Sequence, residues 1–268
     1  MLFTPGRGNR KMAEPRDSIL VQLVFPVLTG LCGALTAFVI AQYQTSRTNR
    51  KERLAKQAQI EFAYLDPLRI AAENFAWKLY SVEQKIRQHQ SGSGGLEWML
   101  HAFHCVKEPR EIFPDHRSPS YTEYGWWCNG GGFFAVSTIY AAAIYFLHAR
   151  RTRRECTKSI ELIQKLDGVR LALGHEFGIY VMLQDSMGEY VGDAQGMEIG
   201  YRQFCVKLFN EEERLWFLNM LDYFREIDKK NADQRHGIMS ALHDLLTYLQ
   251  ETTKGRVNDP FVQAPNFA

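Results

Sequence analysis

The sequence lacks the short motifs that identify common nucleotide-binding and hydrolytic enzymes. It contains no GxxxxGKS phosphate-binding loop, no GxGxxG turn after a strand and no GxSxG nucleophile turn. His175 and Glu176 begin the HExxH pattern of zinc peptidases, but Ile179 stands where the second histidine is required. No internal repeat of roughly 20–50 residues is visible. These absences argue against the nucleotide-binding enzymes, hydrolases, zinc peptidases and repeat proteins that such motifs identify, and we expect no cofactor.

Excess charge and paired cysteines are also missing. The chain has 32 Lys and Arg against 30 Asp and Glu, a formal net charge of +2, so we expect no nucleic-acid partner. Its five cysteines are odd in number, and none belongs to a CxxC pair. A disulfide framework is therefore not indicated. The pattern is typical of reduced thiols in a cytoplasmic domain.

Charged side chains are absent from one long stretch near the N-terminus. Residues 19–41, ILVQLVFPVLTGLCGALTAFVIA, are 23 consecutive residues without Asp, Glu, Lys or Arg. As a helix they would reach roughly 35 Å, enough to cross a hydrocarbon core of about 30 Å. The apolar part of a cleaved signal peptide is shorter, about 7–15 residues. We therefore predict a basic tail at 1–18 and a single-pass transmembrane signal-anchor at 19–43.

Basic residues flank the predicted anchor on both sides, so their number alone does not orient it. They are Arg7, Arg10, Lys11 and Arg16 before it, and Arg47, Arg50, Lys51, Arg53 and Lys56 after it. A third basic run at 150–154 and the unpaired cysteines favour a cytoplasmic C-terminal part. Four of these residues, Arg47, Arg50, Lys51 and Arg53, are predicted to contact anionic lipid headgroups. Charges that flank a membrane helix can also do no more than set its orientation in the bilayer.

Small residues recur within the predicted anchor. Gly33, Ala37 and Ala41 are spaced four apart, so they share one helical face. Such a face lets two helices approach closely in lipid, where packing rather than hydrophobicity drives association. Gly and Ala are also simply common in membrane helices. The spacing therefore has two interpretations: a contact between helices, in a homo-oligomer or in a complex with another membrane protein, or the ordinary composition of a membrane helix.

A second candidate for association lies in residues 44–90, the predicted juxtamembrane and seamed helices. Asp66 and Pro67 suit the cap and the first position of a helix. Around them, apolar residues recur at alternating spacings of three and four, which we call the seam. The seam consists of Leu65, Leu68, Ala72, Phe75, Leu79, Val82 and Ile86. It could pair with a second copy as a short coiled coil, or pack on the chain's own domain.

Helical patterns continue through residues 96–253, which we predict to form a cytoplasmic α-helical domain, followed by a flexible tail at 254–268. Asp167 and Gly168 are predicted to end one helix, and Asn210 to cap another. The predicted fold class is therefore all-α. An N-terminal single-pass transmembrane helix precedes an irregular helical bundle.

A second uncharged stretch, residues 124–147, raises the question of another span. Asn129 and the glycines at 130–132 would break its helix, which leaves 133–147 with a length of only about 23 Å. A second crossing would also place the two basic runs on opposite sides of the membrane, against the positive-inside bias. We therefore predict a buried core helix, with a two-pass topology as the alternative.

Possible metal ligands occur once as a cluster. His101 and His104 share a helical face and Cys105 follows them, so Cys128 or His116 could complete a tetrahedral zinc set. No second closely spaced ligand pair follows. Partly buried helical histidines are also commoner than metal sites, and we predict no metal.

Two functions remain. The first is a membrane-tethered α-helical interaction or regulatory module, bound to a lipid bilayer and self-associating. The second is a membrane-associated enzyme whose pocket lies near four residues: Trp126, Trp127, His101 and His104. Asp185, Glu189 and Asp193 recur four apart, as an acid–base site requires, but an exposed acidic helix face has the same spacing. The absence of catalytic motifs favours the first function.

Overall fold

The computed structural model describes residues 17–92, 95–109, 121–193 and 197–253. Within these ranges the chain is almost entirely helical and has no β-strand, and an isolated antiparallel bridge joins Gly192 to Glu198. The prediction of an all-α fold is confirmed. Residues 1–16 of the predicted N-terminal tail and the whole predicted C-terminal tail lie outside the described residues.

The chain divides into two compact units, residues 1–58 and 59–268. The described part of the first unit is helical and belongs to α1 (Asp17–Ile60). This helix contains the whole predicted anchor and continues through the basic residues that follow it. From residue 30 to residue 56 every side-chain position on α1 is exposed.

The second unit contains ten further helices in the described residues. They are α2 (Asp66–Gln90), α3 (Leu96–Lys107), α4 (Tyr121–Asn129), α5 (Phe133–Glu155), α6 (Ile160–Phe177), α7 (Val181–Tyr190), α8 (Tyr201–Phe209), α9 (Glu211–Arg214), α10 (Leu218–Arg225) and α11 (Ala232–Thr253). Short 3-10 turns at Leu215–Phe217 and Ile227–Lys229 flank α10.

The helical path into α2 differs from the predicted start at Asp66. Leu65 is itself helical, and a π-helical turn at Glu61–Leu65 joins α1 to α2. Asp66 therefore does not cap a new helix, and its carboxylate accepts a long hydrogen bond of 3.5 Å from Arg69. Pro67 has no N–H to donate to the preceding turn, and a π-helical turn accommodates that interruption without ending the helical path.

The core of the second unit is built around α5. This helix packs against α2 and α7 and also contacts α3, α6 and α8, while α11 packs on α2 and α6. Aromatic rings from different helices meet inside it. Phe75 stacks on Tyr145 with ring centroids 5.6 Å apart, and Phe103 stacks on Phe224 at 4.8 Å. One apolar core thus holds these helices together.

The uncharged stretch at 133–147 lies in α5. By length and composition α5 could cross a membrane, but 72% of its apolar 18-residue segment is buried inside the unit. Of residues 135–147, Tyr140 alone is half-buried and the rest are buried. These side chains contact protein, as expected for a buried core helix.

The seam also belongs to this core. Its seven residues are between 0% and 8% exposed, and α2 packs against both α5 and α11. Of the two alternatives for the seam, the structure supports packing on the chain's own domain. The expectation that the seam pairs with a second copy is corrected, because side chains that α5 and α11 already cover are unavailable to another chain.

The predicted helix stop at Asp167 and Gly168 is wrong, since α6 runs through both residues and ends at Gly178. Gly178 has a positive φ of 66°, the left-handed conformation that glycine adopts at low cost. The burial of Leu166 and Val169 on either side keeps the earlier turn helical. By contrast, Asn210 caps α9 as predicted: its side-chain oxygen accepts from the backbone N–H of Glu212 and of Glu213.

Helices α5 and α7 approach closely at Gly188. A Cβ atom at this position would lie 2.7 Å from the backbone nitrogen of Leu147 and 2.8 Å from the carbonyl carbon of Phe146. Both atoms belong to the α5 backbone, so no side-chain rotation can make room. The missing side chain of Gly188 is therefore what allows α7 to pack on the central helix.

A buried ion pair joins α2 to α11. Arg235 Nε donates to Glu83 at 2.9 Å, and the two side chains are only 8% and 5% exposed. Arg235 also donates to the carbonyl of Lys230, and Glu83 pairs with Arg87 at 3.3 Å. Because each charge is compensated by a partner, the pair fixes how these helices meet rather than adding much net stability.

Candidate functional site

A cleft of about 730 Å³ runs along α2 and α5, and we call it the α2/α5 cleft. Its volume falls within the range of small-molecule sites, about 300–1,000 Å³. Most of its surface is apolar. The π-helical turn and α2 contribute Ala63, Pro67, Ile70, Ala71, Asn74, Trp77 and Lys78 to the lining. Helix α5 contributes Phe133, Ser137, Tyr140, Ala141, Ile144, His148 and Arg151, and the segment after α7 contributes Met197, Glu198 and Tyr201.

Two hydrogen bonds show that α2 and α5 run antiparallel along this cleft. At one end Lys78 Nζ donates to Ser137 Oγ at 2.6 Å. At the other end Thr152 Oγ1 donates to the carbonyl oxygen of Tyr64 at 3.3 Å. The strip on α5 from Phe133 to Arg151 spans about 27 Å at 1.5 Å per residue. The cleft is therefore long and narrow, with polar groups at its two ends.

The first end is marked by Lys78. Its ammonium lies 5.3 Å from the ring centroid of Phe133 and 5.6 Å from that of Phe134, both cation–π distances. Among the described residues no carboxylate lies within ion-pair distance of Lys78. Burial lowers the pKa of Lys78, because the surrounding apolar groups remove part of the water that stabilises the charge.

Polar contacts also hold residues 197–201 against α5, from Tyr140 near its middle to His148 near the second end. His148 Nε2 lies 3.4 Å from a carboxylate oxygen of Glu198, and Tyr140 donates to the carbonyl of Ile199 at 2.6 Å. Burial lowers the pKa of His148 and raises that of Tyr140, so both are neutral near pH 7. These contacts fasten residues 197–201 over α5 and close the side of the cleft.

A smaller cleft of about 380 Å³ adjoins this second end and shares Arg151 with it, and its lining includes the acidic residues Glu155, Glu189 and Asp193. Arg150 and Arg154 also line it, and Arg150 pairs with Glu189 at 3.2 Å. The basic run at 150–154 is thus partly neutralised within the domain. The guanidinium of Arg153 is engaged as well, since it pairs with Asp167.

The described members of the histidine cluster, His101, His104, Cys105 and Cys128, do not come together as a ligand set. His101 is exposed, and its Nε2 lies 3.4 Å from the thiol of Cys105 one turn later. No group of three or more potential ligands comes together among the described residues. His116 lies outside them. Cys128 instead meets Cys205: hydrogen bonding between the two thiols raises the pKa of Cys128 and lowers that of Cys205.

The four residues predicted for the alternative enzyme pocket lie apart from the two clefts described above. Trp126 is 79% exposed, and Trp127 packs at the edge of the core. The linings of the two clefts described above include neither tryptophan and neither His101 nor His104.

The acidic residues at i+4 spacing have structural partners. Asp185 pairs with Arg170 at 3.4 Å, and Glu189 pairs with Arg150. Asp193 accepts a hydrogen bond of 2.6 Å from the backbone N–H of Met197. Each carboxylate therefore fastens a neighbouring element, and the three do not converge on one point.

Comparison with known proteins adds no family. No family model matches the chain. No curated protein and no solved structure matches it either. The features that bear on function are therefore the exposed apolar surface of α1 and the α2/α5 cleft.

Sequence reasoning did not identify this cleft. One signal was present: Pro67, Ile70, Asn74, Trp77 and Lys78 recur at helical spacing on a face of α2 other than the seam. A lysine in a mostly apolar strip of this kind can line a cleft or lie on the protein surface. The packing of α2 against α5 shows that this strip lines a cleft.

Proposed function

We propose that this protein is a membrane-tethered α-helical interaction module, anchored by residues 19–43 and presenting its C-terminal domain to the cytoplasm. The observation that carries the proposal is the surface of α1. Leu31, Leu35 and Phe38 are 56%, 61% and 65% exposed. Leu28, Val39 and Ile40 are more than half exposed as well. A contiguous apolar surface of this kind requires lipid or another protein to cover it.

The contrast between α1 and α5 supports the choice of anchor. Both contain a long uncharged stretch, but the α5 side chains are mostly buried, whereas the described apolar side chains of α1 are exposed. The basic residues directly after the anchor, from Arg47 to Arg53, are exposed and therefore available to anionic headgroups. The basic run at 150–154 and the unpaired cysteines favour a cytoplasmic domain.

Self-association through the anchor is part of this proposal. At 100° per residue, five small residues of the anchor fall within an arc of about 100°, and between residues 28 and 41 no bulky side chain falls within it. They are Gly30, Gly33, Ala34, Ala37 and Ala41. A Cβ added at Gly33 meets no atom within 4 Å, so this face is open to a second helix. The seam is excluded as a second contact because it is buried.

Deleting residues 1–44 tests the anchor. We expect the full chain to remain in the membrane pellet after carbonate washing and the truncated chain to become soluble. Replacing 19–41 by an unrelated 23-residue apolar helix should restore membrane binding. Retention of the truncated chain in the pellet would contradict the proposal and would direct attention to α5.

Replacing Gly33 and Ala37 by Ile tests the contact between anchors. We expect crosslinked dimers of the full chain in cells and their loss in this variant, because two added side chains prevent close helix approach. Leu31 and Leu35 to Ile is the matched control, since it changes the bulky face and keeps the small one. Monomers alone in the wild type, or equal loss in the control, would refute the contact.

No observation on the described residues favours the enzyme alternative near Trp126 and Trp127. We therefore do not pursue a catalytic function.

A further inference from the structure

The α2/α5 cleft has a composition that selects a class of ligand. Its middle is apolar and is lined by Ile70, Ala141 and Ile144. Its first end carries Lys78, whose ammonium has a hydroxyl and two aromatic faces as neighbours but no carboxylate among the described residues. A positive charge at one end of a long apolar channel is complementary to an anionic head attached to an apolar chain.

The cleft is too small to enclose a helical peptide. A helix as long as the α5 strip, about 27 Å, with a diameter of about 10 Å, fills about 2,000 Å³. The cleft offers about 730 Å³. A single extended hydrocarbon chain is far narrower than a helix. An all-helical wall also presents no open strand edge with which an extended peptide could pair.

The position of the charge indicates the direction of the ligand. At the second end both Arg151 and the Glu198 carboxylate line the cleft, so that end carries both signs of charge and does not select an anion as Lys78 does. At the first end Lys78 is already partly desolvated by Phe133 and Phe134, so a bound anion would interact with it strongly.

We propose that the α2/α5 cleft binds a single-chain anionic amphiphile, with its head group at Lys78 and its apolar chain along Ile70, Ala141 and Ile144. This site goes beyond membrane tethering, and like the proposed function it requires α5 to be a core helix of the domain rather than a membrane span. The head group can be a carboxylate or a phosphate monoester, since an ammonium recognises both.

The test uses the full chain in phosphatidylcholine nanodiscs and three photoreactive probes with the same diazirine-bearing long chain. One probe is the carboxylic acid, one the phosphate monoester and one the uncharged methyl ester. After irradiation, modified peptides are identified by mass spectrometry. We expect adducts within residues 63–78 and 133–151. The probe concentration that gives half-maximal labelling should be at least about tenfold lower for an anionic probe than for the ester. The better of the two anionic probes identifies the head group.

Variants of Lys78 separate recognition from folding. Lys78→Gln should remove the preference for the anionic probe, whereas Lys78→Arg should retain it, because Arg keeps the charge. Lys158→Gln is the matched control, since Lys158 is an exposed lysine outside the cleft. Because the readout is the ratio between charged and uncharged probes, a uniform loss of binding through partial unfolding does not imitate the expected result.

Three results would overturn the proposal. One is equal labelling by the acid, the phosphate and the ester in the wild type. Another is adducts concentrated outside the two expected ranges. The third is a protein occupant: a photoreactive residue placed at Ile70 would then crosslink a polypeptide in cells, while the amphiphile probes leave the cleft unmodified.

Discussion

Replacing Gly188 by Ala probes the contact that positions the central helix. The new Cβ would lie 2.7 Å from the Leu147 nitrogen and 2.8 Å from the Phe146 carbonyl carbon, closer than real Cβ contacts come. Since both atoms are backbone, α5 or α7 has to move as a whole. Overpacking of this kind costs about 1–3 kcal/mol. The helix propensity of Ala returns about 1 kcal/mol of that cost.

Gly168→Ala provides the matched control. Gly168 also lies inside a helix, is exposed, and has no atom within 4 Å of an added Cβ. This substitution should stabilise the chain by up to about 1 kcal/mol through helix propensity alone. The difference between the two variants therefore isolates the clash, about 1–3 kcal/mol.

Thermal unfolding of the detergent-solubilised full chain measures this difference. For a domain of about 200 residues, 1 kcal/mol shifts Tm by roughly 2–4 °C, so a clash of about 2 kcal/mol should separate the two variants by roughly 4–8 °C. A Tm for Gly188→Ala equal to or above that of Gly168→Ala would refute the close approach of α7 to α5.

The same variant also bears on the cleft. Ile144 and His148 line the α2/α5 cleft and flank Leu147, the residue that Gly188 contacts. A shift of α5 should therefore weaken labelling by the anionic probe, whereas Gly168→Ala should leave it unchanged. Unchanged labelling together with a lowered Tm would place the movement in α7 rather than in α5.

Three further perturbations test the ion pair, a buried histidine and the orientation. Glu83→Ala leaves Arg235 buried without its carboxylate and should lower the free energy of unfolding in urea by about 3–5 kcal/mol. Asp244→Ala, which removes a solvent-accessible pair with Lys165 at 3.9 Å, should cost less than about 1 kcal/mol. Burial lowers the pKa of His148 below its ordinary 6.5, so the unfolded chain takes up the proton first. Stability present above pH 6.5 is lost as the pH falls through the folded pKa, and the fall in Tm between pH 7.5 and 5.5 should be smaller in His148→Gln. Thr157→Cys, at an exposed position, should react with a membrane-impermeant maleimide only after cell lysis.

Each of these has a contradicting outcome. Equal losses for Glu83→Ala and Asp244→Ala would show that Arg235 reaches solvent. An identical pH dependence with Gln at 148 would show that His148 does not titrate differently on folding. Labelling of Thr157→Cys in intact cells would reverse the orientation. The native cysteines 105, 128, 156 and 205 cannot serve in that assay, because they are buried and would escape labelling on either side.

Much of the architecture was readable from the sequence because it depends on local patterns. A run without charge at 19–41 and apolar residues at spacings of three and four act over a few turns, so they predicted α1, the seam and the all-α class. The cap at Asn210 is equally local, since its side chain bonds N–H groups two and three residues later. The helix stop expected at Asp167 and Gly168 failed because burial of neighbouring apolar residues outweighed a preference of about 1 kcal/mol.

The tertiary structure decided everything that depends on residues distant in the chain. An apolar seam fits a second copy or the chain's own helices equally well, and only the packing of α2 on α5 and α11 shows which surface covers it. Lys78 and Ser137, 59 positions apart, meet because those helices are antiparallel. Helical periodicity determines which residues share a face, but the contacts between faces determine which are buried and which line a cleft.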